Sequence, residues 1–193
     1  VQRKTKDYWV RYIRQGDTPY SGAWGAFYDI VNSVESAVII IFLVFTFAFR
    51  AVGVVGESML PTLSNGDWLA VTSYKSSYDR NDIIIITQPN ALDEPLVKRI
   101  IAVGGDTIDI DFDEHIVYVN GKPVSESFIR EPTSYRGDVS FPLSVPVGYV
   151  FVMGDNRNNS LDSRSEIIGL INEKYILGKA QYRVFPFSGF KIS

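Results

Sequence analysis

A chain of 193 residues has room for one domain with a sizeable core and an additional element beside it. Its 19 basic and 22 acidic residues leave a formal charge of -3, which provides no global attraction to nucleic acid and argues against a nucleic-acid partner. The absence of cysteine excludes disulfides, thiolate catalysis and cysteine-ligated zinc, and leaves the redox compartment open.

Residues 1–29 interleave Arg3, Lys4, Lys6, Arg11 and Arg14 with Tyr8, Trp9, Tyr12, Trp24 and Tyr28, the pattern of a cytosolic juxtamembrane segment. Residues 30–50 follow as a candidate transmembrane helix. The strictly apolar part, Ala37 to Phe49, has Thr46 as its one polar group. Thirteen helical residues reach only about 20 Å against a hydrocarbon thickness of roughly 30 Å. Length alone therefore also admits a buried core helix or a secretory h-region. Extension back to Tyr28 attains membrane thickness and takes in Glu35, close enough to the N-terminal end to reach the headgroups. The basic excess before the span places the N-terminus in the cytosol and residues 51–193 outside, and the lack of an Ala-x-Ala-like site predicts an uncleaved signal anchor.

From Asp67 onward the pattern shortens to strand-like runs: Trp68–Ser73, Ile83–Thr87, Val97–Val103, Thr107–Asp111, Ile116–Val119, Gly148–Met153 and Gln181–Phe185. Asn120-Gly121 is a two-residue hairpin signal. No long helical period follows Phe49, so the expected fold is mainly β, with antiparallel coiled sheets or a partly open barrel and one N-terminal transmembrane helix. Residues 126–146, rich in Pro, Ser, Thr and Gly, read as an irregular connection. Thr107, Asp109, Asp111 and Asp113 alternate with Ile108, Ile110 and Phe112, a solvated strand face without the glycine-bearing loop of a calcium site.

Three stretches carry chemistry. Gly56-Glu57-Ser58-Met59-Leu60-Pro61-Thr62-Leu63 presents Ser58 between an apolar run and a proline-stiffened turn. A serine hydroxyl needs a base within hydrogen-bond reach to act as a nucleophile. His115, the one histidine, lies beyond the acidic alternation with no local acceptor to orient it, and reads as a surface residue. Lys98 sits in the mostly apolar run Pro95–Val103, where alternation sets it with Ile100 and Ala102 and sets Arg99 with Val97 and Ile101. Burial would bring its pKa from about 10.4 toward the range of roughly 7–8 useful to a general base. The same pattern fits a lysine that snorkels to the strand edge. The third stretch, Gly154 to Arg164, packs turn formers and short polar side chains directly after the apolar run Tyr149–Met153, with Asp162 and Arg164 as a candidate bidentate pair. Gly104-Gly105-Asp106 lacks the Gly-Lys-Ser/Thr of a phosphate loop.

Taken together, Ser58-Met59-Leu60-Pro61-Thr62-Leu63, Gly66-Asp67, Asn81-Asp82-Ile83-Ile84-Ile85, Lys98 to Asp106 and the Gly154 to Arg164 loop, behind an apolar span, resemble a bacterial type I signal peptidase over most of Ala37 to Phe187. That family consists of membrane-bound serine endopeptidases of the Ser-Lys class. The resemblance implies Ser58 as nucleophile, Lys98 as general base, Ser160 as the residue that orients the lysine amine, Asp162 and Arg164 as a structural ion pair, and Asp155 as support for the loop. It implies signal peptides of exported preproteins as substrates, bound extended near Val52 to Gly56 and near Leu96. Val54, Met59, Leu63 and Val97 fall at positions lining shallow pockets for small residues. The oxyanion hole would use the Ser58 amide and Gly56, the latter standing where the better-described branch has a serine. No cofactor or metal is implied. The further partners are the lipid bilayer and the secretion translocon, and the implied location is the bacterial plasma membrane, with the catalytic domain on its outer face. The short stretch from Asp111 to Gly148 leaves no room for the large accessory β domain of some relatives. Two rivals share parts of this pattern: a self-cleaving Ser-Lys repressor, disfavoured by the apolar span, and a membrane-anchored β domain without catalysis.

Overall fold

A computed structural model describes residues 22–48, 50–72, 77–89, 94–186 and 192, so the basic N-terminal segment expected at the membrane lies largely outside the described residues. The chain divides into two units, residues 1–47 and 48–193. In the first, helix α1 runs from Ala23 to Ala48. It starts before residue 30 because Trp24, Phe27 and Tyr28 extend the apolar run, with Gly25 accommodated in the first turn and no Pro to interrupt it. The stretch Ala23–Leu43 is long and apolar enough to cross a membrane, at a mean hydropathy of 1.7, and its large apolar side chains are exposed. From Ala37 onward the helix carries no charge, and at about 1.5 Å per residue its full length exceeds the hydrocarbon thickness.

The second unit is built from two antiparallel sheets. The larger contains seven strands in the order β1-β2-β11-β3-β4-β9-β10. These are β1 (Arg50–Gly53), β2 (Trp68–Thr72), β3 (Ile83–Ile86), β4 (Leu96–Val103), β9 (Tyr149–Met153), β10 (Ile171–Asn172) and β11 (Ile176–Phe185). The smaller sheet has the order β7-β6-β5-β8. Its strands are β5 (Thr107–Asp111), β6 (Ile116–Val119), β7 (Lys122–Pro123) and β8 (Leu143–Ser144). The mainly β antiparallel fold matches the expectation from strand spacing. Asn120 and Gly121 both take positive φ, 53° and 71°, and turn β6 into β7 as the hairpin signal required.

Strand β3, four consecutive isoleucines, is buried on both faces because it lies mid-sheet between two cores. Ile83 and Ile85 pack with Val54, Met59, Leu63, Leu69 and Val71. Ile84 and Ile86 pack with Ile100, Val150 and Val152. A third core, with Ile101, Phe151 and Met153 from the large sheet and Ile108, Ile110, Val117 and Val119 from the small one, joins the two sheets. Register shifts in β11 and between Ile100 and Ala102 of β4 curl the large sheet. The β4 shift corrects one expectation. Ile100 pairs with Val152 and Ala102 with Phe151, so Ala102 faces away from Ile100 and Lys98.

Candidate active site

The Gly56–Leu63 stretch folds as a turn, with Leu60 N–H bonded to the Glu57 carbonyl at 3.1 Å and Leu63 N–H to that of Met59 at 2.9 Å. Met59 and Leu63 root it in the core, which leaves Ser58 half-buried above them. From behind, the Gly154–Arg164 loop holds its backbone. Asn156 N–H donates to the Ser58 carbonyl at 3.0 Å and Asn156 Nδ2 to the Glu57 carbonyl at 3.1 Å. Gly154 is needed for this approach: a Cβ there would lie 2.4 Å from the Ser58 carbonyl oxygen and 2.3 Å from Ser160 Oγ.

Lys98 reaches Ser58 from β4. It pairs across the sheet with Ile84 and is only 3% exposed, so it does not snorkel to the edge. Its Nζ donates to Ser58 Oγ at 2.7 Å, bringing together two residues 40 apart in sequence. Burial lowers the Lys98 pKa to about 8; Asp162 and Asp155 oppose that fall and Arg164 adds to it. An amine with this pKa is neutral in a substantial fraction of molecules at physiological pH and can accept a proton.

The Asp162–Arg164 pair is bidentate and wholly buried, with Nε to Oδ1 and Nη2 to Oδ2 both at 2.8 Å. Arg164 also donates to the carbonyls of Arg157 at 2.6 Å and Tyr135 at 3.0 Å, and Gly154 N–H donates to Asp162 Oδ2 at 3.0 Å. Burial acts to raise the Asp162 pKa, but Arg164 and the Gly154 amide outweigh it and hold the carboxyl below its ordinary value. Ser160 lies in the same corner, against Gly154, where its buried hydroxyl helps Arg164 to hold the Asp162 carboxyl low. It makes no hydrogen bond to the lysine amine in this conformation.

Asp155 forms a second buried pair, with Arg99, at 2.8 Å through Nε and 2.7 Å through Nη2. Thr62 Oγ1 donates to Asp155 at 2.5 Å, Arg99 Nη1 donates to the Asn81 carbonyl at 2.9 Å, and the guanidinium stacks 4.0 Å over the Phe128 ring. Consecutive residues of β4 thus serve opposite sides of the strand: Lys98 meets the nucleophile, and Arg99 ties the nucleophile turn to the Gly154 loop. Sequence reasoning missed Arg99, Thr62, Gly154 and Asn156 as supports. The available signal was a second charge, Arg99, inside an apolar strand, which requires a buried partner.

Gly56 has φ 92°, a conformation that costs an L-residue about 1–2 kcal/mol. Its N–H donates to Asn65 Oδ1 at 3.0 Å, so the oxyanion role expected of Gly56 is not open to that amide here. The Ser58 N–H, by contrast, has no backbone acceptor among the described residues. Ser58 and Lys98 open onto a cleft of about 500 Å³ between two chain segments, residues 52–56 and 94–98. Val52, Val54, Met59, Leu96 and Val97 line it, whereas Leu63 is fully buried and contributes to the core below. Both walls present open strand edges. β1 is terminal in its sheet, and β9 begins to pair with β4 only at Arg99, which leaves Leu96 to Lys98 uncovered on that side. His115 is exposed in the turn between β5 and β6, with Nδ1 3.2 Å from the Thr133 carbonyl.

A curled antiparallel sheet that sets a serine hydroxyl against a buried amine, at the floor of a cleft with strand edges for walls, has the architecture of a peptidase. The family described as signal peptidase, peptidase S26, matches residues 27–185, and the chain belongs to it. Signal peptidase I P of Bacillus subtilis subsp. natto is 38% identical over 82% of this chain and 89% of its own length. A probable signal peptidase I-1 of Synechocystis is 34% identical over 89% of each chain. A crystal structure of a signal peptidase I from Enterococcus faecalis V583 aligns with 55% of this chain and 98% of its own, at 24% identity and a TM-score of 0.40.

Proposed function

We propose that the protein is a membrane-anchored serine endopeptidase that removes signal peptides from exported preproteins through a Ser58–Lys98 dyad. Membership of the signal peptidase family supports the substrate class. The observation that carries the dyad is the 2.7 Å bond between Lys98 Nζ and Ser58 Oγ, made by a lysine whose pKa burial has lowered to about 8.

The preprotein binds extended in the cleft and adds main-chain hydrogen bonds to the open edges at Val52–Gly56 and Leu96–Lys98. Shallow pockets beside Val54, Met59 and Val97 favour small side chains before the scissile bond. Neutral Lys98 takes the Ser58 proton as Oγ bonds to the scissile carbonyl carbon, and the resulting oxyanion faces the Ser58 N–H. The lysine ammonium then gives its proton to the departing amine of the mature protein, the C–N bond breaks, and an acyl-enzyme remains. In the second half Lys98 deprotonates a water, which attacks the ester and releases the signal peptide as a carboxylate with Ser58 restored. Asp162–Arg164 and Asp155–Arg99 keep the dyad in register, with Ser160 beside them as the residue that orients the amine once substrate fills the cleft. Helix α1 anchors the chain in the plasma membrane with its N-terminus in the cytosol and the β unit outside, near the translocon from which substrates emerge.

A preprotein cleavage assay in detergent tests the reading with wild type, Ser58→Ala and Lys98→Ala. Both variants should lose at least about 1000-fold in rate, as expected when a nucleophile or its base is removed. Processing at the wild-type rate by either one would remove the dyad from the mechanism.

A further inference from the structure

The irregular segment after β7 does more than connect. Between Glu126 and Val139 it lies along the Gly154–Arg164 loop and bonds to it repeatedly. Arg157, fully buried in the loop, pairs with Glu126 and donates to Thr133 Oγ1 at 3.0 Å. Arg130 N–H donates to the Asp155 carbonyl at 3.1 Å, and the Arg164 carbonyl accepts from Asp138 N–H at 3.1 Å. Asn158 Oδ1 accepts from the N–H groups of Ser134 and Tyr135 at 2.8 and 3.0 Å.

Phe128 is the side chain by which this segment reaches the supports of the dyad. Its ring covers the Arg99 guanidinium at 4.0 Å and lies 5.9 Å from that of Arg157. A guanidinium carries its donors in its plane, and those of Arg99 are engaged there, Nε and Nη2 with Asp155 and Nη1 with the Asn81 carbonyl. The face is left for an aromatic ring, which attracts the cation and keeps water off the pair. Phe128 and Arg99 both line a second cleft of about 360 Å³, with Thr62, Ser125 and Ser127, so solvent has a path to that face once the ring is removed. The Arg99–Asp155 pair in turn holds the nucleophile. Thr62 Oγ1 donates to Asp155 from the turn that bears Ser58, and Asn156, the next residue, donates its N–H to the Ser58 carbonyl. Phe128 is not among the residues that line the substrate cleft.

We infer that Phe128 is a positioning residue for the cleavage reaction, whose ring keeps Arg99 and Asp155 dry and thereby fixes Ser58 against Lys98. The inference rests on the peptidase reading and adds to it a residue from neither cleft wall nor either motif of the dyad. Water at the guanidinium face competes for the in-plane bonds, the pair loosens, and the turn and loop it joins can shift. A displacement of about 1 Å between reacting groups is enough to cost on the order of 100-fold in rate.

The experiment uses the full chain in detergent with a preprotein substrate and measures kcat and KM separately for wild type and three variants. Phe128→Ala should lose about 10-fold or more in kcat with KM within about twofold, because the cleft walls are untouched. Phe128→Leu keeps most of the apolar cover without the ring face and should fall between Phe128→Ala and wild type. Phe128→Tyr, whose added hydroxyl has the second cleft to enter, should stay within about threefold of wild-type kcat. If Phe128→Ala does not fold, the Leu and Tyr variants carry the same comparison. A loss confined to KM, a Tyr variant impaired as much as the Leu variant, or a Leu variant with wild-type kcat overturns the inference and leaves the peptidase reading intact; failure of wild type to cleave the preprotein overturns both.

Discussion

A lysine in water keeps its proton to about pH 10.4, and Lys98 gives that up in a site where it is almost wholly buried. The folded chain therefore disfavours the charged amine, whereas the unfolded chain does not. Between about pH 8 and the ordinary value of 10.5, the unfolded state binds more protons, so stability rises with pH across that window, and the cost is fully present below it. Lys98→Met should accordingly be more stable than wild type at pH 7, on the order of 2 kcal/mol, with the gain shrinking as pH approaches 10.5. Chemical denaturation at several pH values measures this, and equal stabilities throughout would mean that the lysine carries no such cost. This residue was legible because a lone lysine in an apolar run must either be desolvated or escape to an edge. Which of the two held was decided only by the tertiary fold, which buries the side chain and brings its amine onto Ser58, 40 residues away in sequence. The Arg99–Asp155 pair was less legible because its partners are 56 residues apart, and strand alternation says which face Arg99 takes but not what waits there.

At the scale of the element, the Gly154–Arg164 loop is the piece that converts a strand lysine and a turn serine into neighbours. Its buried Asp162–Arg164 pair is held by backbone partners on both sides. Asp162→Asn would leave the Arg164 charge buried without its counter-ion, at a cost of about 3–5 kcal/mol in unfolding free energy. It would also remove a charge that raises the Lys98 pKa, so the acid limb of the remaining activity should shift to lower pH. Denaturation midpoints and the rate profile of the purified variant check both effects, and unaltered stability would contradict the structural weight given to the pair. The loop announced itself through its density of turn-forming residues. The long strands were equally visible through alternation, but β1, β7, β8 and β10 are two to four residues long and carry too little periodicity to be seen. Strand β11 was half missed because Gly178 breaks its apolar pattern, although that glycine is what lets the backbone pass the Thr72 carbonyl, 2.4 Å from where a Cβ would stand.

For the molecule as a whole, the proposed chemistry depends on a fold that delivers two open strand edges to one dyad and on an apolar helix that keeps the chain at a membrane. Helix α1 presents large apolar side chains such as Trp24, Ile30 and Ile40 that are mostly exposed. The full chain should stay with the membrane pellet through alkaline carbonate extraction and be released only by detergent; recovery in the carbonate supernatant would contradict the anchor. The fold class and the family were readable because motifs and strand spacing agree along most of the sequence, whereas the curl of the sheet arises from bulges that no local pattern announces. The central claim, that Lys98 is the base for Ser58, is tested most directly by the pH dependence of preprotein cleavage by the intact protein. The rate should climb about tenfold per pH unit below a single macroscopic titration near pH 8 and level off above it. A rate that stays flat from about pH 5 to 9 would contradict it.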